Sequence, residues 1–380
     1  MRKKIIFCAF FIFCQNFLSF GQQKIVFLTG NIAPSKTSVS HLFIAGDFNS
    51  WNPTDTAWEM HAEPSGKYHL LKILPKGVYN FKITKGGWER VECSAAGKPI
   101  GNRILSVNND TTVTMDIAGW QDNYPAAEKK HTASAQVHVL SANFDMLQLG
   151  RQRRVWIYLP AGYETSKSSY PVIYMHDGQN LFDEYTSGFG EWGVDEILDK
   201  LSPKKESIVV GIDHGGNYRI TEYDPFDSKY GKGQGSEYVD FLVQTLKPYI
   251  DSHYRTKPAA RYTTIAGSSM GGLISMYAEL KYPKVFGSAG VFSPAFWIAP
   301  EIYDFAQKAT LSPGAGFYFV CGDAESKTMV ADMEKMAGII RSKNISVQKT
   351  PVVIIKGAGH NEKQWNGDFP GFYNWLIARY

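Results

Sequence analysis

Tyr262-Thr263-Thr264-Ile265-Ala266-Gly267-Ser268-Ser269-Met270-Gly271-Gly272 is a strand-like run that breaks into a G-x-S-x-G turn centred on Ser269. A serine displayed at the end of a buried strand sits in a sharp strand-to-helix bend, where Cβ atoms two positions before and after it would collide. Glycine at 267 and 271 removes those collisions. Residues 262–266 are β-branched, aromatic or small, as a central parallel strand requires, and Leu273, Ile274, Met276, Tyr277 and Leu280 recur at a helical period. The helix is expected to stop near Tyr282, ahead of Pro283. Strand, sharp turn and helix in that order point to a nucleophilic serine; a Gly/Ser-rich loop without chemistry is the alternative.

From about residue 136 onward, strands alternate with helices, which predicts a largely parallel sheet covered on both faces. Strands are expected at Arg154–Leu159, Pro171–Met175, Ile208–Ile212, Tyr262–Ala266, Phe317–Cys321 and Val352–Ile355, and helices at about 191–201, 236–252, 271–281 and 327–343. Residues 22–118 read differently. Short apolar runs such as His41–Ala45, Tyr68–Ile73, Val78–Ile83 and Thr111–Ile117 alternate with turn signals, an antiparallel β-sandwich pattern. Between the two regions, residues 119–135 are polar and aperiodic and read as a linker.

Residues 1–21 read as a secretory signal, with Arg2, Lys3 and Lys4 at the basic start, a mostly apolar stretch from Ile5 to Phe20, and small residues Ser19 and Gly21 before cleavage. The chain is expected to be exported, with no membrane span once the signal is removed; an uncleaved anchor is the alternative, disfavoured by Gln15 and Asn16. The chain has 380 residues and 44% hydrophobic content, enough for more than one core. Its formal charge of +4 falls to +1 without Arg2, Lys3 and Lys4, so no nucleic acid partner is implied. Only Cys93 and Cys321 lie outside the signal, one in each region, so no disulfide framework is expected.

An acyl-transfer serine needs a base, a carboxylate to orient that base, and paired N–H donors for the oxyanion. In doubly wound hydrolases the chain order is serine, acid, histidine, with both partners on loops after later strands. His360 follows the apolar run Val352–Ile355 through Lys356-Gly357-Ala358-Gly359, whereas His176 and His214 precede Ser269. Asp323 and Glu325 both follow the strand Phe317–Cys321, and the residues themselves leave the choice between them open. The oxyanion donors are expected at the backbone N–H of Met270 and, in the turn after Pro171–Met175, at that of Gly178 or Gln179. No H-E-x-x-H or paired Cys/His spacing marks a metal site. Trp192, Trp297 and Trp365 either shape the mouth of the site or fill the core.

Residues 136–380 resemble the putative esterase family of α/β hydrolases, which includes esterase D, the feruloyl and acetyl esterases of carbohydrate esterase family 1, and the enterobactin esterases. The matching features are Val155–Pro160 with Tyr163, Met175-His176-Asp177-Gly178, Arg219 with Glu222-Tyr223, Gly267–Gly272, Ser293-Pro294, Gly322–Glu325 and Gly359-His360. The resemblance implies a cofactor-independent serine esterase and places the orienting carboxylate at Glu325, where the family more often has aspartate. Its oxyanion turn often reads His-Gly, and Asp177 is an insertion here. Residues 41–103 resemble glycogen- and starch-binding immunoglobulin-like modules through Ala45–Trp51, Tyr79–Lys82, Gly87-Trp88 and Gly101–Arg103. This resemblance implies that Trp51, Lys82, Trp88 and Asn102 hold a sugar, by ring stacking and hydroxyl hydrogen bonds; a packing module without ligand is the alternative.

The expected architecture is therefore α/β, an α/β-hydrolase domain preceded by an all-β immunoglobulin-like sandwich. The expected activity is hydrolysis of feruloyl or acetyl esters on an oligo- or polysaccharide. A siderophore esterase, with Arg219 and Lys363 as cations at the mouth, and a non-catalytic glycan-binding protein are the rival readings. Oligomeric state is left open.

Overall fold

The structure is a computed structural model that describes residues 22–37, 39–49, 51–124, 129–201 and 206–380; the signal reading of 1–21 lies outside them. The chain divides into two compact units, Met1–Glu128 and Lys129–Tyr380.

The N-terminal unit contains β1 (Gln22–Ile32), β2 (Leu42–Gly46), β3 (Glu59–Ala62), β4 (Tyr68–Pro75), β5 (Gly77–Thr84), β6 (Glu92–Cys93), β7 (Arg103–Val107), β8 (Thr111–Ile117) and β9 (Gly119–Trp120). The main sheet order is β7-β5-β2-β3-β4-β1-β8. β3 joins the two halves of the sandwich: Glu59 and Met60 pair with β2, while His61 and Ala62 pair with β4. Inward residues alternate with outward ones, so Leu70 and Leu74 are buried while Leu71 and Ile73 face out. Phe48 stacks on Trp58 at 3.7 Å, and Phe27 meets Phe81 edge-on at 5.7 Å, inside the core. The pairing is not antiparallel throughout, because β1 runs parallel to β8.

Residues 119–124, read above as the start of a linker, belong to this unit. Trp120 is fully buried, pairs with Glu92 through β9 and donates its indole N–H to the Ala33 carbonyl at 3.2 Å. Burial of one large aromatic outweighs the polar residues around it, which is why composition misled. Trp120→Ala is expected to destabilise the N-terminal unit by about 3–5 kcal/mol, read from denaturant unfolding; a loss below about 1 kcal/mol would contradict a core role. Residues 129–134 are instead tied to the C-terminal unit: His131 meets Asp183 at 2.8 Å, and the Ser134 N–H donates to Asp195 at 2.7 Å.

The C-terminal unit contains β10 (Val137–Met146), β11 (Arg151–Tyr158), β12 (Val172–His176), β13 (Ile208–Ile212), β14 (Thr263–Ser268), β15 (Ser288–Phe292), β16 (Gly316–Gly322) and β17 (Val352–Ile355). They form one sheet in the order β10-β11-β13-β12-β14-β15-β16-β17, antiparallel at β10 and β11 and parallel from β13 to β17. Its helices are α1 (Val194–Leu198), α2 (Arg219–Tyr223), α3 (Gly235–Phe241), α4 (Lys247–His253), α5 (Met270–Lys281), α6 (Glu301–Lys308), α7 (Met329–Arg341) and α8 (Glu362–Ile377). Two apolar cores, one on each face, cover the sheet. This is the α/β-hydrolase arrangement.

Three features escape the sequence pattern for physical reasons. β15, Ser288-Ala289-Gly290-Val291-Phe292, has small residues because a Cβ at Gly290 would lie 2.7 Å from the Phe372 ring of α8. α8 carries Pro370 in its interior, yet it forms, capped by the Asn361 side chain and burying Trp365, Phe369, Phe372, Tyr373 and Leu376. The helix expected at 236–252 exists, but residues 242–246 form a π-helical turn just before Pro248, which has no N–H to donate.

Candidate active site

β14 ends at Ser268 and α5 starts at Met270, leaving Ser269 between them with φ 58° and ψ −119°. A non-glycine residue held there costs on the order of 1–3 kcal/mol, and neighbouring bonds hold it. The Ser269 N–H donates to the Phe292 carbonyl at 2.9 Å, and the Ser269 carbonyl accepts from the Ala295 N–H at 3.0 Å. Gly267 is required by close approach: a Cβ there would lie 3.0 Å from both the Gly271 carbonyl carbon and the His176 ring.

Register carries the neighbouring loops to the same place. Ser268 pairs with Phe292, Phe292 with Val320 and Gly322 with Ile355. Adjacent strands are about 4.8 Å apart, so the loops after β14, β15, β16 and β17 bring Ser269, Ser293, Glu325 and His360 to one edge of the sheet. Glu325 Oε2 meets His360 Nδ1 at 2.7 Å. Glu325 Oε1 accepts from the Ser293 hydroxyl at 2.7 Å and from the Gly322 N–H at 2.6 Å. The carboxylate is thus satisfied on both oxygens, with 1% of its side chain exposed against 37% for His360. Asp323, the competing carboxylate, accepts from the Gly357 N–H at 2.6 Å instead. A carboxylate on Nδ1 selects the tautomer whose Nε2 accepts a proton. No hydrogen bond joins the Ser269 hydroxyl to His360 among the described residues.

Sequence reasoning missed the part played by Ser293. Its hydroxyl receives the Trp365 indole N–H at 2.9 Å and donates to Glu325, and Trp365 meets the His360 ring edge-on at 5.0 Å. Its φ of 43°, unusual for serine, was the one local signal, and it is visible only in the backbone. Trp192 and Trp365 are core residues, 3% and 5% exposed, whereas Trp297 is 49% exposed on the loop after β15.

The turn after β12 places Asp177 in the left-handed region, φ 55° and ψ 47°, followed by a short 3-10 turn at Gly178–Asn180. Gly178 has no room for a side chain, since a Cβ would lie 2.8 Å from the backbone of Gly211 and Ile212. The Asp177 N–H reaches the Tyr223 hydroxyl at 3.4 Å; the N–H groups of Gly178, Gln179 and Met270 have no partner among the described residues. The Asp177 carboxylate takes a bidentate pair from Arg219 at 2.7 and 2.8 Å. Burial raises its pKa, but Arg219 outweighs this and holds the group below the usual carboxylate range. Arg219, read from sequence as a free cation at the mouth, is therefore committed to Asp177 and lies over the Tyr223 ring. His176 is buried, bonded through Nδ1 to the Tyr238 hydroxyl at 2.9 Å, and packed beneath Gly267 and Gly271. Burial is the main force lowering its pKa to about 3, with Arg219 adding and Asp177 opposing, so it is a neutral strut.

In the N-terminal unit the rings of Trp51 and Trp88 come within 6.2 Å, tilted by 34°. Trp51 is half-buried with φ 58° and donates its indole N–H to Asp47 at 3.0 Å; Trp88 is 38% exposed. The Lys82 ammonium is bonded to the Ile100 and Gly101 carbonyls, in the loop that carries the exposed Asn102. Burial lowers the Lys82 pKa against the pull of Glu92, with Arg103 adding to the lowering. Among the described residues no cluster of three or more His, Cys, Asp or Glu could hold a metal, and no helix is long and apolar enough to cross a membrane.

Comparison with known proteins places these observations in a family. The profile described as Putative esterase matches residues 147–374. The chain is 29% identical over 184 residues to an endo-1,4-beta-xylanase/feruloyl esterase of Xylanibacter ruminicola, covering 47% of this chain and 23% of that protein. It is 31% identical over 169 residues to an iron(III) enterobactin esterase of Dickeya dadantii, covering 44% of this chain and 36% of that protein. It thus spans less than half the length of either relative. A crystal structure of the enterobactin esterase of Shigella flexneri superposes with a TM-score of 0.51 at 15% identity, covering 90% of this chain and 89% of that one, a likeness of fold.

Proposed function

Because the chain belongs to the Putative esterase family, whose members are serine hydrolases, we propose that it is an exported serine esterase acting on acylated carbohydrate, with Ser269, His360 and Glu325 as its triad. The observation that carries the triad is the 2.7 Å contact of buried Glu325 with His360, on loops beside the strained Ser269.

The chemistry follows from the atoms. Ser269 Oγ adds to the ester carbonyl as His360 Nε2 takes its proton, and Glu325 holds the resulting imidazolium. The carbonyl oxygen becomes an oxyanion, held by the Met270 N–H and by that of Gly178 or Gln179. Collapse of the intermediate breaks the bond to the alcohol, which receives the His360 proton and leaves. Water, deprotonated by His360, then releases the acid and restores Ser269.

Two observations favour a glycan ester. A relative's name joins feruloyl esterase to xylanase activity, and the Trp51–Trp88 pair supplies aromatic faces of the kind that stack on sugar rings. A siderophore ester is the second reading, favoured by the named activity of the Dickeya dadantii relative; with Arg219 neutralised by Asp177, it lacks one of the two cations that reading called on. The test is turnover of feruloylated or acetylated oligosaccharide against a catecholate tri-ester, and preference for the tri-ester would overturn the glycan assignment. Retention on a polysaccharide affinity gel is expected to be lost in Trp88→Ala; retention unchanged by that variant would remove the sandwich from glycan recognition.

A further inference from the structure

Glu362 is the first residue of α8, two positions after His360, and is 8% exposed. Its Oε1 accepts from the Asn180 side-chain amide at 3.3 Å. Asn180 closes the 3-10 turn that begins at Gly178, and its own Oδ1 accepts from the Gly188 N–H at 3.0 Å. Gly190 lies on the other side: a Cβ there would be 3.7 Å from that of Glu362. Between Gly188 and Gly190 stands Phe189, 80% exposed. The carboxyl group therefore sits where the His360 loop, the oxyanion turn and the 188–190 loop converge.

The charged groups acting on it are Asp177 on the oxyanion turn and Arg219 on α2; His360 and Lys363 are its neighbours in sequence, and residues 188–190 carry no titratable side chain. Arg219 is paired bidentately with Asp177, and no salt bridge reaches Glu362 among the described residues. A nearly buried carboxyl without a cation is costly, and stability alone would favour glutamine or an apolar residue. The Asn361 cap and the first-turn position account for an acidic residue at a helix start, but not for one buried beside the reacting groups.

We propose that Glu362 is a specificity-determining residue: its carboxyl hydrogen-bonds a hydroxyl of the bound ester, on a phenolic acyl group or on a sugar alcohol. This rests on the esterase reading above. Burial chiefly raises the Glu362 pKa to about 7, its own backbone N–H opposing, Asp177 adding and Arg219 opposing. The carboxylate present above that pH is the stronger acceptor for a substrate hydroxyl.

The experiment compares wild type with Glu362→Gln on paired substrates differing only by a hydroxyl or its methyl ether. One pair is methyl ferulate and its phenol methyl ether; the other is a monoacetylated methyl glucoside and its O-methylated counterpart. The ratio of kcat/KM within a pair cancels any titration common to both members. The wild-type ratio is expected to rise through about pH 7 for one pair, which identifies the side of the ester bearing the hydroxyl. In Glu362→Gln that ratio is expected to be flat with pH and lower by about 10- to 100-fold, with an unchanged denaturant unfolding curve as the control for folding. Ratios equal in wild type and variant, or a variant that slows all substrates alike, overturn the proposal and leave the esterase reading standing. Wild type without Ser269-dependent turnover of any ester overturns both.

Discussion

Ser269→Ala is expected to lower kcat on p-nitrophenyl acetate by about a million-fold while leaving the fold intact. Nucleophile and base act as one unit, so His360→Ala and the double variant are expected to fall to the same floor, not to a product of two losses. Alanine keeps the Cβ, so the φ of 58° and the backbone bonds to Phe292 and Ala295 persist, and the unfolding midpoint is expected to stay within about 1 kcal/mol of wild type. Ser269→Gly releases the left-handed strain and is expected to be no less stable than the alanine variant. Burst and steady-state kinetics with an activated ester read all of these. Residual activity above a tenth of wild type in Ser269→Ala would remove Ser269 from the chemistry.

Glu325→Gln has the second largest expected effect, about a ten-thousand-fold loss in kcat, because an amide presented to Nδ1 stabilises the wrong imidazole tautomer. The same substitution disturbs the bonds from Ser293 and Gly322 at a site 1% exposed. It is therefore expected to destabilise the fold as well, by about 1–3 kcal/mol. Asp323→Asn is the matched comparison. Its carboxylate holds only the Gly357 N–H among the described residues, so kcat is expected to remain within about tenfold of wild type. Equal losses in the two variants, or a larger loss at Asp323, would reverse the assignment of the carboxylate.

The contrast between these two acids marks the limit of what the chain reveals in one dimension. Both follow the same strand by a few residues, and spacing alone cannot say which side chain reaches a histidine 35 positions away. The turn after β16 decides it, by sending Asp323 to the Gly357 amide and Glu325 towards His360. Trp120 is a similar case. Its neighbours are polar, so the local pattern reads as linker, but the core of the N-terminal unit accepts the ring and the strand pair with Glu92 fixes it there. Arg219 looked like a cation available to substrate until Asp177 was seen to neutralise it.

The elbow around Ser269 was legible because its demands are local. A buried strand, two glycines where Cβ atoms would collide, and an apolar helix are each written within about a dozen residues, and the observed β14 and α5 lie where that pattern places them. His360 was legible because a strand followed by a loop is also local. The tertiary structure decided what depends on register between strands far apart in sequence: the contact of Glu325, not Asp323, with His360, the bonds from Ser293 to Glu325 and from Trp365 to Ser293, and the convergence of Glu362 with Asn180. The physical reason is range. Steric and propensity constraints act over a few residues and so leave a pattern in the sequence, whereas hydrogen bonds between loops depend on pairings made by the sheet as a whole.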